Sequence, residues 1–167
     1  GDDLGRIIEL VADGGELVRQ LYGASVPIVA ACTGHAVAGG ALTLLGCDVR
    51  IGADIDAKVG LNEVAIKMVL PGWAFTICRE RLSRRFIQRA AANARLTTPR
   101  EAIDVGFIDE VVPADEVLDR AIEVAADMAA TLDPSAYART VDALRGDVLA
   151  RMAEQLAADR AAGAGLA

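Results

Sequence analysis

The sequence predicts an α/β fold built on a parallel sheet, and three observations predict it. Short β-branched apolar runs, such as Val26–Cys32, are too short for helices and are bounded by turn residues. These runs alternate with stretches of helical apolar periodicity. The runs are also apolar along their whole length, the pattern of strands covered on both faces.

Each element follows in order. Residues 4–22 place Ile7, Ile8, Leu10, Val11, Leu17, Val18 and Leu21 at mostly helical spacing, weakened by Gly14-Gly15. Val26–Cys32 reads as a buried strand, Thr33–Gly40 as a turn, and Gly40–Cys47 as a short apolar helix. Asp48–Ala53 and Ala57–Leu61 are two further strands. After Met68–Gly72, residues 73–82 and 84–93 read as two short helices. Thr98 is the cap of the next helix, Pro99 its first residue and Glu101 the partner that completes a capping box, with Gly106 as the stop. Phe107–Pro113 is a strand. From Asp115 the apolar positions 117, 118, 121, 122, 125, 128, 129 and 132 form a helical stripe that Pro134 ends. Residues 135–162 make one or two more amphipathic helices, and the Gly/Ala-rich end frays.

The bulk properties narrow the function. With 167 residues the chain is long enough for one domain with a substantial core. A net charge of −7 without a basic block gives no footprint for nucleic acid or an anionic membrane. Cys32, Cys47 and Cys78 lie in apolar surroundings without metal-ligand spacing, which points to free buried thiols in a reducing cytoplasm. The chain opens on a helix, with no Met and no preceding strand, so further residues are expected upstream of Gly1. The uncharged run between Val26 and Cys47 is long enough to cross a bilayer, but Pro27, Thr33, Gly34, His35 and the Gly39-Gly40 pair argue against a membrane helix.

That run raises the main question, because Gly39-Gly40 breaks it where a strand gives way to a helix. Two readings are open from the residues alone. The glycines let the helix approach the sheet closely, or they leave backbone N–H groups unobstructed to hold an anionic oxygen.

The order of motifs from Pro27 to Gly72 resembles the crotonase (enoyl-CoA hydratase/isomerase) superfamily. The motifs are the strand, Ala38-Gly39-Gly40, a helix ending in Cys47-Asp48, the strand Arg50-Ile51-Gly52, then Gly60-Leu61-Asn62-Glu63 and Leu70-Pro71-Gly72. The segment from Leu96 to Ala129 is similar to the family's downstream helix–strand–helix. The resemblance spans roughly residues 22–132. It implies a crotonase-like spiral of ββα units, N-terminally incomplete here, as a core over 1–132, and a C-terminal helical trimerisation region over 133–167. It implies acyl-CoA as substrate, no cofactor or metal, and a homotrimer or dimer of trimers.

The resemblance also assigns roles. Gly39 becomes an oxyanion-binding amide and Glu63 the proton-transferring carboxylate, with Asn62 where the family usually has Pro. Ala38, Gly40, Leu42 and Trp73 become substrate-binding residues. Leu42 occupies the position of a second carboxylate often found in the family. Its presence favours a double-bond shift, which needs one base, over hydration, which two carboxylates serve best. Phe75 is a further pocket candidate, and one of Arg79, Arg81, Arg84, Arg85 and Arg89 is a candidate for a CoA phosphate. His35 reads as a packed, hydrogen-bonded turn residue, and Asp48, Asp54 and Asp56 as structural or exposed. A different class of reading is a non-catalytic acyl-CoA binder that has lost one carboxylate. Retention of Glu63 opposes it.

Overall fold

The computed structural model describes residues 2–164. Helix α1 (Asp2–Tyr22) runs unbroken through Gly14-Gly15. The reason is packing. A Cβ at Gly15 would lie 2.6 Å from Leu156 Cδ2 and 2.6 Å from Trp73 Cε2, so the helix presents bare backbone to both neighbours.

Strands β1 (Val29–Cys32), β3 (Val49–Ala53) and β5 (Glu110–Val112) form a three-stranded parallel sheet in the order β1-β3-β5. Strands β2 (Ala36–Val37) and β4 (Val59–Gly60) form a second parallel pair, with Val37 opposite Gly60. Helix α2 (Gly39–Leu45) lies between β2 and β3. Thr33–Gly40 is therefore not only a turn. Its two-residue strand is defined by a distant partner rather than by a pattern of its own.

Helix α3 (Gly72–Arg81) matches the sequence reading closely. Residues 84–93 do not. Only Gln88–Ala92 is helical, and it is wound as a π turn. The Asn93 N–H reaches back to Gln88 O at 3.0 Å, and Ala94 at φ 49° leads the chain away. The capping box exists. Thr98 N–H donates to Glu101 Oε2 at 2.9 Å, and Glu101 N–H donates to Thr98 Oγ1 at 3.3 Å. Helix α4 (Glu101–Val105) ends at Gly106, whose φ of 103° suits glycine and where a Cβ would meet Arg81 O at 2.8 Å.

Helix α5 (Val117–Thr131) follows β5. Pro134 does more than end it, because it opens the 31-residue helix α6 (Pro134–Ala164). A first-turn proline gives up an N–H that has no intrahelical partner anyway. Asp133 caps the new helix by accepting Ala136 N–H at 2.8 Å. The tail is thus one helix, laid along α1 and α3. The last residues of the Gly/Ala end lie outside the described residues.

Leu45, Ile51, Leu61, Ile77, Phe107, Ile108 and Met152 are fully buried and fix the core between sheet and helices. One polar knot ties α6 to it. The Asp48 carboxylate accepts Ile28 N–H at 2.8 Å, Tyr137 O–H at 3.0 Å and Arg145 Nη2–H at 2.7 Å. Arg145 also donates to Tyr22 O at 2.7 Å and lies over the Tyr22 ring. Burial, then the charge of Asp48, pushes the Tyr137 phenol up to about 12. Cys47 and Cys78 are buried and Cys32 is half-buried, all as free thiols. Among the described residues no helix is long and apolar enough to cross a membrane.

Candidate active site

The β2–β4 pairing builds the site. Gly39 follows Val37 by two residues and Glu63 follows Gly60 by three, so pairing Val37 with Gly60 brings both to one place. The hinge is Ala38. Its N–H donates to Gly60 O at 2.9 Å, and its backbone is held at φ 55°, ψ −121°. That region is sparsely populated for a residue with a Cβ and costs about 1–3 kcal/mol. The ψ angle of Ala38 sets the plane of the next peptide and therefore the direction of the Gly39 N–H. As the first residue of α2, Gly39 has no intrahelical acceptor for that N–H.

The two readings of the glycine pair can now be separated. A Cβ at Gly39 or at Gly40 would meet nothing within 4 Å. Close approach to the sheet therefore does not explain them. What the glycines provide is open space beside exposed backbone.

Gly39 borders a cavity of about 520 Å³. Leu42, Glu63, Leu70, Pro71 and Trp73 line it with Gly39. So do Ile8, Val11 and Val18 of α1, and Asp159 and Ala162 of α6. Of the six residues singled out from the sequence, Gly39, Leu42, Glu63 and Trp73 share this cavity. Ala38 and Gly40 are off its wall, and Ala38 acts through its backbone. Phe75 packs against the core instead.

Glu63 is the more buried of the two carboxylates on this wall. It stands just after β4, is only 8% exposed, and heads a short 3₁₀ turn, Val64–Ile66. Among the described residues its buried Oε2 has no hydrogen-bond partner. Burial pushes its carboxyl above the usual range, opposed by the backbone N–H groups of Glu63 and Asn62. The same environment raises Cys78, which burial first and the Glu63 charge second push up to about 12. A carboxylate that is desolvated, unpaired and at the edge of an apolar cavity is suited to take a proton from carbon and give it back. Leu42 is 3% exposed and contributes only carbon to the same wall.

The remaining polar residues stand apart. His35 is exposed, not packed, and its Nδ1 accepts the Lys58 N–H at 2.9 Å. Arg81 donates to Cys47 O at 2.6 Å and so holds the end of α2. Arg79, Arg84, Arg85 and Arg89 are exposed and line no part of the cavity. Asp48 is structural, and Asp54 pairs on the surface with Arg100. Among the described residues no cluster of three or more His, Cys, Asp or Glu side chains is placed to hold a metal.

Sequence reasoning missed the cavity wall contributed by α1 and α6. One signal was present. Asp159 continues the stripe of Met152 and Leu156, a carboxylate where the pattern asks for an apolar residue.

The fold agrees with three comparisons. The family described as enoyl-CoA hydratase/isomerase matches residues 10–163. The chain is 38% identical over 112 residues to "Enoyl-CoA delta isomerase 1, mitochondrial" of Rattus norvegicus, covering 66% of this chain and 39% of the relative. It superposes on an enoyl-CoA hydratase/isomerase family protein from Pseudomonas syringae with a TM-score of 0.89 at 36% identity, covering 92% of this chain and 66% of that one. Against human mitochondrial delta3-delta2-enoyl-CoA isomerase the TM-score is 0.84 at 30% identity, covering 93% of this chain and 60% of that one. The chain belongs to the enoyl-CoA hydratase/isomerase family and has the crotonase fold. It spans about two-fifths of the length of the curated isomerases it matches, 39% of the rat protein.

Proposed function

We propose that the protein is an enoyl-CoA isomerase that moves the double bond of a 3-enoyl-CoA thioester to the 2-position, with no cofactor. The observation that carries this is a cavity lined by one buried carboxylate, Glu63, and by Leu42, at the position where the family resemblance puts a second carboxylate that would serve hydration. The Gly39 N–H binds the thioester oxygen as charge builds on it, a donor worth about 3 kcal/mol in the transition state. Glu63 takes a proton from C2, giving a dienolate. The same carboxyl returns the proton to C4 and the conjugated 2-enoyl thioester results. One base thus serves both halves and the books balance without water. Trp73 and Leu42 pack on the acyl chain. The names of the rat and human relatives support this choice over hydration. Residues 1–132 act as the core and 133–167 as the helical region of a homotrimer or dimer of trimers, in a reducing cytoplasm that suits three free thiols.

Glu63→Gln tests the assignment. Gln keeps the shape but cannot accept the proton, so kcat on a 3-enoyl-CoA should fall by about 10²–10⁴-fold with KM little changed. An unchanged kcat moves the proton transfer to another residue. A wild-type protein that binds acyl-CoA but turns over neither 3-enoyl nor 2-enoyl thioesters is a binder.

A further inference from the structure

The two adjacent glycines of α1 have different reasons to be there. Gly15 is required by packing, since a Cβ on it would lie 2.6 Å from both Leu156 Cδ2 and Trp73 Cε2. Gly14 is not. Among the described residues, a Cβ at Gly14 would meet nothing within 4 Å. Its backbone lies inside a helix and takes no positive φ, so a side chain would fit there without strain. A glycine at such a position weakens a helix relative to alanine. Gly14 also interrupts an apolar stripe. At 3.6 residues per turn, Ile7, Val11, Gly14 and Val18 fall within about 60° of one another around the helix. All four line the cavity. The stripe runs from Ile7, 51% exposed, past an exposed Gly14 to Val18, 1% exposed. Gly14 is the residue of this stripe without a side chain, and it leaves a notch between Val11 and Val18.

Open space on an apolar cavity wall, held against helix propensity and required by no neighbouring residue, is space for a ligand. Gly39, the other glycine of this wall with room for a Cβ, is explained by its free N–H. The N–H of Gly14 is engaged within the helix, so only the volume remains to explain. The helix neighbours of position 14 are Leu10, Val11, Leu17 and Val18, all apolar. The polar residues of the wall, Thr43, Glu63 and Asp159, belong to other elements. The part of a ligand that suits the notch is therefore hydrocarbon. We propose that Gly14 is a specificity-determining residue of the acyl site, where the notch in α1 receives methylenes of the acyl chain and the size of the residue at position 14 sets the longest chain that binds. This rests on the reading of the cavity as an acyl-thioester site. It does not depend on Glu63 as the base.

The test measures binding, so that no turnover is needed. Affinities of the full protein are measured for straight, saturated acyl-CoA thioesters of increasing chain length. In the wild type each methylene that enters the cavity should tighten binding about fourfold, up to a limiting length. Gly14→Leu and Gly14→Phe should reach that limit at a shorter chain. They should weaken the longest thioester that the wild type accommodates by about 10- to 100-fold, the equivalent of two or three methylenes, and change the shortest by less than about twofold. Gly14→Ala puts one methyl group in the notch. It should weaken the longest thioester about fourfold, and it serves if the larger variants fail to fold. A limiting length and affinity unchanged in Gly14→Leu, or in Gly14→Ala where only that variant folds, overturns the inference. So does a loss of equal size at every chain length, because the side chain then obstructs the thioester end rather than the acyl chain. Failure of the wild type to bind any thioester overturns it together with the acyl-thioester reading. An unchanged kcat in Glu63→Gln would overturn the base alone and leave this binding result standing.

Discussion

At the scale of single residues, the site is defined by what its atoms lack. Among the described residues Glu63 Oε2 has no hydrogen-bond partner in a mostly apolar wall, and this has opposite consequences for activity and stability. Burial raises its folded-state pKa above that of the unfolded chain. The favourable contribution of this group is present below the unfolded value and is lost as the pH rises through the folded one. Glu63→Gln, which cannot ionise, should therefore melt at a higher temperature than the wild type at neutral pH. The gap should close as the pH falls below the ordinary glutamate range. Thermal melts across pH check this. The isomerisation rate should decline on the acid side at a pH above that range, because only the carboxylate is a base. Leu42 is the complementary case. Leu42→Glu adds a second carboxylate to the cavity and should raise hydration of 2-enoyl-CoA relative to isomerisation of 3-enoyl-CoA. It should also cost about 2–3 kcal/mol of stability, since the new group is buried without a built partner. Assays of both reactions in both proteins read the ratio. An efficient hydratase in the wild type would show that Leu42 is no barrier.

Among the elements, α6 is fastened to the sheet through one carboxylate. Asp48 holds Arg145, Tyr137 and the chain before β1 at once. Arg145 and Asp48 are both nearly excluded from solvent, with side chains 10% and 9% exposed. Asp48→Ala should destabilise the protein by about 3–5 kcal/mol, because it strands a buried guanidinium. Asp48→Asn, still able to accept the Ile28 N–H, should cost less. Urea unfolding of the two variants ranks them. The elements also show what the sequence can express. Helices α1 and α5, the capping box at Thr98 and Glu101, and the strand-to-helix break at Gly39 were legible because their signals are local. Strand β2 was not, since its two residues become a strand only by pairing with β4. The π turn at Gln88–Ala92 was not, because its extra residue is set by surrounding packing rather than by composition. Glu63 was legible through a motif resemblance, and Leu42 with it. The α6 side of the cavity wall was not, because α6 becomes a wall only by packing on α1 and α3, which lie far from it along the chain.

The whole molecule leaves apolar surface uncovered. On α5, Leu118 and Ile122 are 59% and 58% exposed, and on α6 Leu144 is 74% exposed. Leu118 and Ile122 lie one helical turn apart, and an adjacent exposed pair of that size is characteristic of a surface that meets another subunit. This supports the homotrimer, or dimer of trimers, proposed above. Sedimentation at micromolar concentration should give three times the mass of the chain, or six. A stable monomer would show that these residues serve no self-association.

The Gly15 contact with Leu156 also constrains how the protein comes into being. A ribosome makes α1 before α6. The cavity wall made by Val11, Val18 and Trp73 stays without its closing helix until α6 has been made. Until then the apolar face that α1 turns to α6 has no partner. Stalling synthesis just short of Leu156 should leave α1 open to proteolysis. Extending the stalled chain until α6 has emerged from the ribosome should protect it.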